Sequence, residues 1–296
     1  MITFVLLFSR LPIRCLYVIS DIFYFILYYV VRYRQRVVRK NLRNSFPKEN
    51  LIKLKQIEKG FYRSFCDNIV ETIKLYFISD DEIQRMVKFD GLDKLYDVYK
   101  SGISIGLFAP HYCNWELLTV LPHLMSKSDP PTLYILYHVL HNKKVDRLMK
   151  LVREKNQSIC IPKQALLRYI KLTEEARKNA IYGYCFDQSP KWENIHSWIN
   201  FMNQDTPVFS GAERICRKKR HAVFYIDMYK IARGQYKCKI IPISYDASQT
   251  LEGELTAKAF SLLETAIMRQ PEYYLWSHKR WKRDRYTWEK LKNKGK

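Results

Sequence analysis

The stretch Ile103-Ser-Ile-Gly-Leu-Phe-Ala109-Pro-His-Tyr-Cys-Asn-Trp-Glu116 decides how the chain is read. Its first seven residues form a short apolar run between Gly102 and Pro110, the pattern of a buried strand. A helix is expected over 114–125, which seats His111 on the loop leaving a strand and Glu116 in the first turn of the next helix. Loops at the carboxyl edge of an α/β sheet are a favoured seat for chemistry.

Outward from this stretch, strands are expected over 132–138, 180–186, 222–229 and 236–243. Helices are expected over 51–78, 90–99, 143–155, 165–178 and 251–269, the first because Leu54, Ile57, Phe61, Phe65, Ile69 and Ile73 return to one side. Strands alternating with helices imply an α/β fold, an αβα sandwich around a mostly parallel or mixed sheet. The simplest division is an N-terminal anchor with a basic segment over 1–45 and a catalytic domain over 46–296.

Leu11 to Val31 is apolar apart from Arg14, Ser20 and Asp21, and about 21 residues of helix just cross a hydrocarbon core. Arg14 lies near one end and can reach the interface, whereas Asp21 is nearer the middle, where a charge is costly. A tilted span, a helix buried in one leaflet and the core helix of a soluble protein all fit this pattern. A cleaved signal peptide fits less well, since no small-residue cleavage site follows. Arg32, Arg34, Arg36, Arg39, Lys40 and Arg43 come next and, by the positive-inside rule, favour a cytoplasmic body.

With 51 Lys and Arg against 29 Asp and Glu, the formal net charge is +22, so an anionic partner is expected. Nucleic acid, an anionic membrane surface and an acidic carrier protein are the candidates. The charge clusters at Arg32–Arg43, Arg214–Arg220 and from Lys279 to the C-terminus, and a run of this kind is also compatible with a solvated face. The seven cysteines are scattered with no Cys-x-x-Cys pair, which suits neither a disulfide framework nor a zinc site.

His111 and Glu116 would lie about 140° apart if both were helical. A loop His and a first-turn Glu can converge instead, the carboxylate fixing one ring nitrogen while the other takes a proton from a substrate hydroxyl. A strand-end His with a structural role satisfies the same spacing. Cys113 beside it suggests a covalent Cys–His mechanism, which is set aside because the pattern below requires no thiol.

The His-x-x-x-x-Glu spacing resembles the His-x-x-x-x-Asp/Glu motif of the glycerolipid acyltransferases. The longer Pro-His-Tyr-Cys-Asn-Trp-Glu string resembles the branch that adds late, secondary acyl chains to lipid A. Four further segments are similar to that family: Arg39-Lys-Asn-Leu-Arg-Asn-Ser-Phe-Pro47, Asp187-Gln-Ser-Pro190, Phe201-Met-Asn-Gln-Asp-Thr-Pro-Val-Phe209 and Pro271-Glu-Tyr-Tyr-Leu-Trp-Ser-His-Lys-Arg-Trp-Lys282. The resemblance implies a glycerolipid-acyltransferase-like fold behind a membrane-anchoring helix at the bacterial inner membrane, with the catalytic domain on the cytoplasmic side. It implies acyl transfer from acyl carrier protein to a hydroxyl of an anionic glycolipid, a lipid A precursor, without cofactor or metal. In it His111 is the general base and Glu116 its orienting partner. Arg153, in Lys150-Leu-Val-Arg-Glu-Lys155, would steady an oxyanion or phosphate, although Asn156 and Gln157 depart from the glycine common there. Asp187 and Gln188 would line the acceptor pocket or brace the loop, and His278, Lys279, Arg280 and Lys282 would meet phosphates.

Two other classes remain in view. A nucleic-acid-binding protein fits the charge and the 15% aromatic content, but no helix-turn-helix, zinc-finger or RNP-type signature is present. A non-catalytic membrane adaptor fits the anchor but leaves the intact His/Glu pair unexplained. Within the enzyme class, a lysophospholipid or an aminolipid is the alternative acceptor.

Overall fold

In a computed structural model the described residues are 2–126 and 128–294, so the last two residues of the C-terminal basic run lie outside them. The chain opens with α1 (Ile2–Phe8), α2 (Ile13–Phe25) extended by a wider turn over Ile26–Val30, α3 (Gln35–Ser45) and α4 (Leu51–Lys74). Then come α5 (Asp80–Met86), β1 (Val87–Asp90), α6 (Leu92–Lys100), β2 (Ile105–Ala109), α7 (Leu121–Met125) and β3 (Leu133–Tyr137). They are followed by α8 (Lys143–Glu154), β4 (Ser158–Pro162), α9 (Leu166–Glu175) and β5 (Ile181–Cys185). A hairpin of β6 (Ser197–Phe201) and β7 (Gln204–Val208), α10 (Gly211–Lys219), β8 (Ala222–Ala232), β9 (Gln235–Ser244), α11 (Glu254–Arg269) and α12 (Arg285–Lys294) complete it.

The main sheet has seven strands in the order β1-β9-β8-β2-β5-β3-β4, parallel except where β8 runs against β9. Helices flank it, as the alternation requires. β2 lies at the centre with all five residues buried. Full burial of a side chain such as Phe108 contributes about 2–3 kcal/mol, which is why the run carries no polar residue. Gly106 is required by the packing: a Cβ there would meet Cys216 Sγ of α10 at 2.5 Å.

The five expected strands form, whereas β1, β4 and the hairpin strands β6 and β7 lie outside the expectation. Ser-Ile-Cys-Ile-Pro is too short to display a period, and Asp90, expected to open a helix, ends β1 before Gly91 turns the chain at φ +84°. The helix expected over 114–125 is a 3-10 stretch over Trp115–Val120 running into α7. β6 and β7 meet through Met202 and Asn203, both at positive φ, as a two-residue hairpin turn needs.

The N-terminal segment shares one apolar cluster with the rest, from Leu6 through Tyr24, Val38 and Leu42 to Trp276. Leu16, Ser20, Tyr24 and Tyr28, four residues apart, make the buried stripe of α2 and its extension. Ser20 donates to Asp67 at 2.8 Å and Tyr17 to Glu71 at 2.9 Å, both on α4. Asp21, the charge that counted against a span, is gripped by Arg233 of the β8–β9 turn at 2.7 Å, and Arg233 also binds Asp67. The opposite face is apolar and exposed, with Val18, Ile22, Phe25, Ile26 and Val30 outward.

Candidate active site

Parallel register builds the centre of the site. Ala109 of β2 sits opposite Cys185 of β5, so residues two positions beyond each strand end come side by side: His111 and Asp187. The His111 imidazole meets Asp187 Oδ1 through Nδ1 at 2.6 Å, and the His111 backbone N–H donates to Asp187 Oδ2 at 3.1 Å. With the proton on Nδ1, Nε2 presents a lone pair, on which the Gln188 amide donates at 3.1 Å. The Trp115 ring stands edge-on to the imidazole at 5.0 Å. Burial alone would raise the Asp187 carboxyl. The His111 ring beside it, the two hydrogen bonds from His111 and the charge of Arg280 outweigh that and hold it below the usual carboxylate range.

Glu116 is therefore not the partner of His111, as the motif spacing suggested. Its carboxylate forms a fork with Arg153 of α8, Nε at 2.7 Å and Nη2 at 2.6 Å, and accepts from Trp115 Nε1 at 3.0 Å. The 3-10 geometry after Asn114 turns Glu116 toward α8, while the sheet register had already supplied His111 with a carboxylate. Burial would disfavour the Arg153 charge, but Glu116 overrides this and raises its pKa. Arg153 is thus tied to a carboxylate rather than standing free.

The loop between them is held from below. Asn68 of α4 donates to the Cys113 carbonyl at 2.8 Å, and Asn114 Nδ2 donates to Glu71 at 2.8 Å. Cys113 N–H donates to the Tyr273 carbonyl at 3.0 Å, and the Tyr112 hydroxyl reaches the carbonyls of Ala266 and Gln270. These ties stabilise Cys113 at φ +52°, an uncommon conformation for a side chain other than glycine. Its thiol is fully buried, and burial pushes it well above its ordinary pKa. None of the Asn68 and Glu71 contacts was legible in the sequence beyond the unusual density of polar residues on α4.

The two terminal segments singled out in the sequence support each other: Asn41 donates to the carbonyls of Trp276 and His278 at 2.8 and 2.9 Å. His278 faces the cleft, where Nε2 accepts from Ser189 N–H at 3.2 Å, and burial lowers its pKa to about 4. Arg280, expected in the acceptor pocket, lies elsewhere. It is 1% exposed, donates to the Pro207 carbonyl at 2.7 Å, stacks over Phe260 and does not line the cleft; burial lowers its pKa to about 10. The Pro207 carbonyl of β7 gives the guanidinium an acceptor in the interior.

A cleft of about 760 Å³ opens over His111, Glu116, Arg153 and Gln188. One wall is apolar, including Leu118, Ile135, Met149, Tyr184 and Phe209; the opposite rim carries Lys191, Lys282 and Arg283. An imidazole with one nitrogen held by a carboxylate, beside a largely apolar cleft with basic residues, suits an enzyme that activates a polar acceptor next to a bound apolar chain.

The chain belongs to the bacterial lipid A biosynthesis acyltransferase family, whose sequence pattern matches residues 1–283. It is 22% identical over 250 residues to the lipid A biosynthesis palmitoleoyltransferase of Escherichia coli (strain K12), covering 84% of this chain and 79% of that protein. It matches the lipid A biosynthesis acyltransferase of Shigella flexneri to the same extent. The protein is an O-acyltransferase whose acceptor is a lipid A-type glycolipid.

Proposed function

We propose that the enzyme transfers a fatty acyl chain directly from an acyl carrier protein thioester to an acceptor hydroxyl, with His111 as general base and Asp187 as its orienting partner. The observation that carries this reading is the His111–Asp187 pair, which fixes the Nδ1–H tautomer and leaves Nε2 as acceptor toward the cleft. The incoming hydroxyl displaces the Gln188 amide and gives its proton to Nε2 as its oxygen attacks the thioester carbonyl. Asp187 stabilises the imidazolium that forms. The tetrahedral intermediate collapses, the C–S bond breaks, and the departing sulfur takes the proton back from Nε2. Arg153 engages Glu116 through Nε and Nη2 and leaves Nη1 outside that fork, a cation for the carbonyl oxygen as it gains charge. The reading uses no covalent acyl-enzyme, which is supported by Cys113 turning its thiol into the core, toward the Met228 carbonyl.

The apolar face of α2 enters one leaflet of the inner membrane, with the catalytic domain on the cytoplasmic side. The helix has the composition of a span over Ile13–Val30, but Asp67, Glu71 and Arg63 of α4 engage Ser20, Tyr17 and Tyr24 along its length. A crossing would carry those polar groups into hydrocarbon, whereas an in-plane helix does not.

The test is acyl transfer by purified His111→Ala protein, from carrier-protein thioester to a lipid A precursor. A loss of about 10²–10⁴ in kcat is expected in a protein that still unfolds in one cooperative transition, at a midpoint lowered by the loss of the Asp187 partner. Near-normal turnover by this variant would remove His111 as the base.

A further inference from the structure

We propose that Arg34, Lys279, Lys282 and Arg283 form a binding site for a phosphate group at the mouth of the cleft. The proposal rests on the acyl-transfer reading only in what carries the phosphate: the glycolipid acceptor or the phosphopantetheine arm of the donor.

Three observations converge on these residues. Lys282 and Arg283 line the cleft with His111 and Arg153, so a ligand bound there is continuous with the reacting groups. The four cations also crowd one another. The Lys282 ammonium has its pKa lowered, first by burial and then by repulsion from Arg283, Lys279 and Arg34. Finally, the crowding is uncompensated. Some arginines of the chain carry a carboxylate partner, as Arg153 does in Glu116 and Arg269 in Asp227. Among the described residues no carboxylate forms an ion pair with any of these four.

Two of the cations, Arg34 and Arg283, are held in place by contacts of their own. Arg34 adopts φ +50°, left-handed for a non-glycine residue, and its Nη1 donates to the Ser277 carbonyl at 3.1 Å. That contact draws the end of the anchor segment against the C-terminal segment. Arg283 donates from Nη1 to Ser189 Oγ at 3.2 Å, lies over the Trp192 ring and keeps a buried Nε with no hydrogen-bond partner. A buried N–H without an acceptor is costly, and like charges held together repel. A phosphate satisfies both, since its oxygens accept from guanidinium and ammonium donors and its charge relieves the repulsion. The turn that carries Arg34 directly follows the apolar extension of α2, the segment proposed above to enter the leaflet.

The experiment compares wild type with Lys279→Ala/Lys282→Ala in the detergent-solubilised full chain. Steady-state kinetics are run with a lipid A precursor and its dephosphorylated form, and with carrier-protein thioester and acyl-pantetheine lacking the phosphate. The variant is expected to raise KM for the phosphate-bearing substrate on the order of ten-fold with kcat within about two-fold. If the acceptor supplies the phosphate, the difference disappears with the dephosphorylated glycolipid; if the donor does, it disappears with acyl-pantetheine. A KM change that is equal with and without phosphate on both arms, or no change at all, overturns the site. Inorganic pyrophosphate gives a readout independent of turnover: it should raise the unfolding temperature of wild type and not of the variant. Protection by pyrophosphate in a wild-type protein that transfers no acyl chain sinks the acyl-transfer reading and leaves the phosphate site standing. Absence of protection in a protein that does transfer, with KM unmoved, sinks the site alone.

Discussion

Asp187 and Glu116 stand on two sides of the active-site loop, each almost wholly buried, Asp187 held by His111 and Glu116, which lines the cleft, by Arg153 and Trp115. Asp187 is placed by the sheet: β2 and β5 pair in register, and two backbone ends of equal length deliver His111 and Asp187 to the same point. Glu116 is placed by a loop and a 3-10 turn braced on α4, and it holds Arg153. The difference teaches that closeness in sequence is a poor guide to which carboxylate hydrogen-bonds a strand-end His. In a parallel sheet the neighbour comes from the adjacent strand, 76 residues away.

The comparison breaks most visibly in turnover. Asp187→Asn keeps size but removes the charge that steadies the imidazolium, and kcat should fall by about 10³–10⁴ with KM nearly constant. Glu116→Gln should cost no more than about 10². Stopped turnover of a carrier-protein thioester measures both, and equal losses would restore Glu116 as the orienting residue.

Stability separates the pair in the other direction. Glu116→Leu leaves Arg153 half-buried without its counter-charge, at a cost of about 2–3 kcal/mol once partial exposure is allowed for. Arg153→Leu added to it should recover most of that loss, because two apolar side chains of similar volume need no pairing. Urea unfolding of both singles and the double variant closes the cycle, and simple additivity would mean that the fork contributes no coupling.

Much of this architecture was legible before the structure. The central strand, its neighbours and the alternation with helices follow from apolar runs bounded by Gly102 and Pro110, and His111 followed as a strand-end residue. What was not legible depends on contacts between distant segments. The His111–Asp187 pair needs strand order and register, which no local pattern encodes. Arg280 reads as a surface cation beside Lys279 and Lys282, yet lies buried because the β6–β7 hairpin leaves it a carbonyl to bind. Asp21 reads as a lone charge in an apolar helix until Arg233, 212 residues later, is seen to pair with it.

Acid distinguishes the two walls, because His278 stands with Asp187. His278 and the buried His221 both have folded pKa values near 4, against about 6.5 unfolded, so the native state stays neutral while the unfolded chain takes up protons. Their contribution is complete above pH 6.5 and falls as pH drops toward 4, the loss amounting by pH 5 to about 1 kcal/mol for half-buried His278 and about 2 for His221. Asp187, lowered by its partners, begins to lose its contribution only below about pH 4. Thermal unfolding at pH 7, 6 and 5 should therefore show a falling midpoint, flatter in His278→Gln; a midpoint independent of pH would contradict the buried neutral histidines.

The smallest effect tests whether the loop-held wall is softer than the sheet-held one. Asn68→Ala removes the donor on the Cys113 carbonyl and leaves that acceptor under-satisfied, at a cost of about 1 kcal/mol. His111 lies two residues away but is also fixed by Asp187 through both ring and backbone, whereas Glu116 follows the loop through Asn114. The strain should therefore fall on the Glu116 side, and kcat should drop a few-fold while the pH at which activity is half-maximal stays constant. A shift in that pH would show that the loop, and not the sheet register, holds the imidazole on Asp187. The contrast between the two carboxylates would then be one of degree.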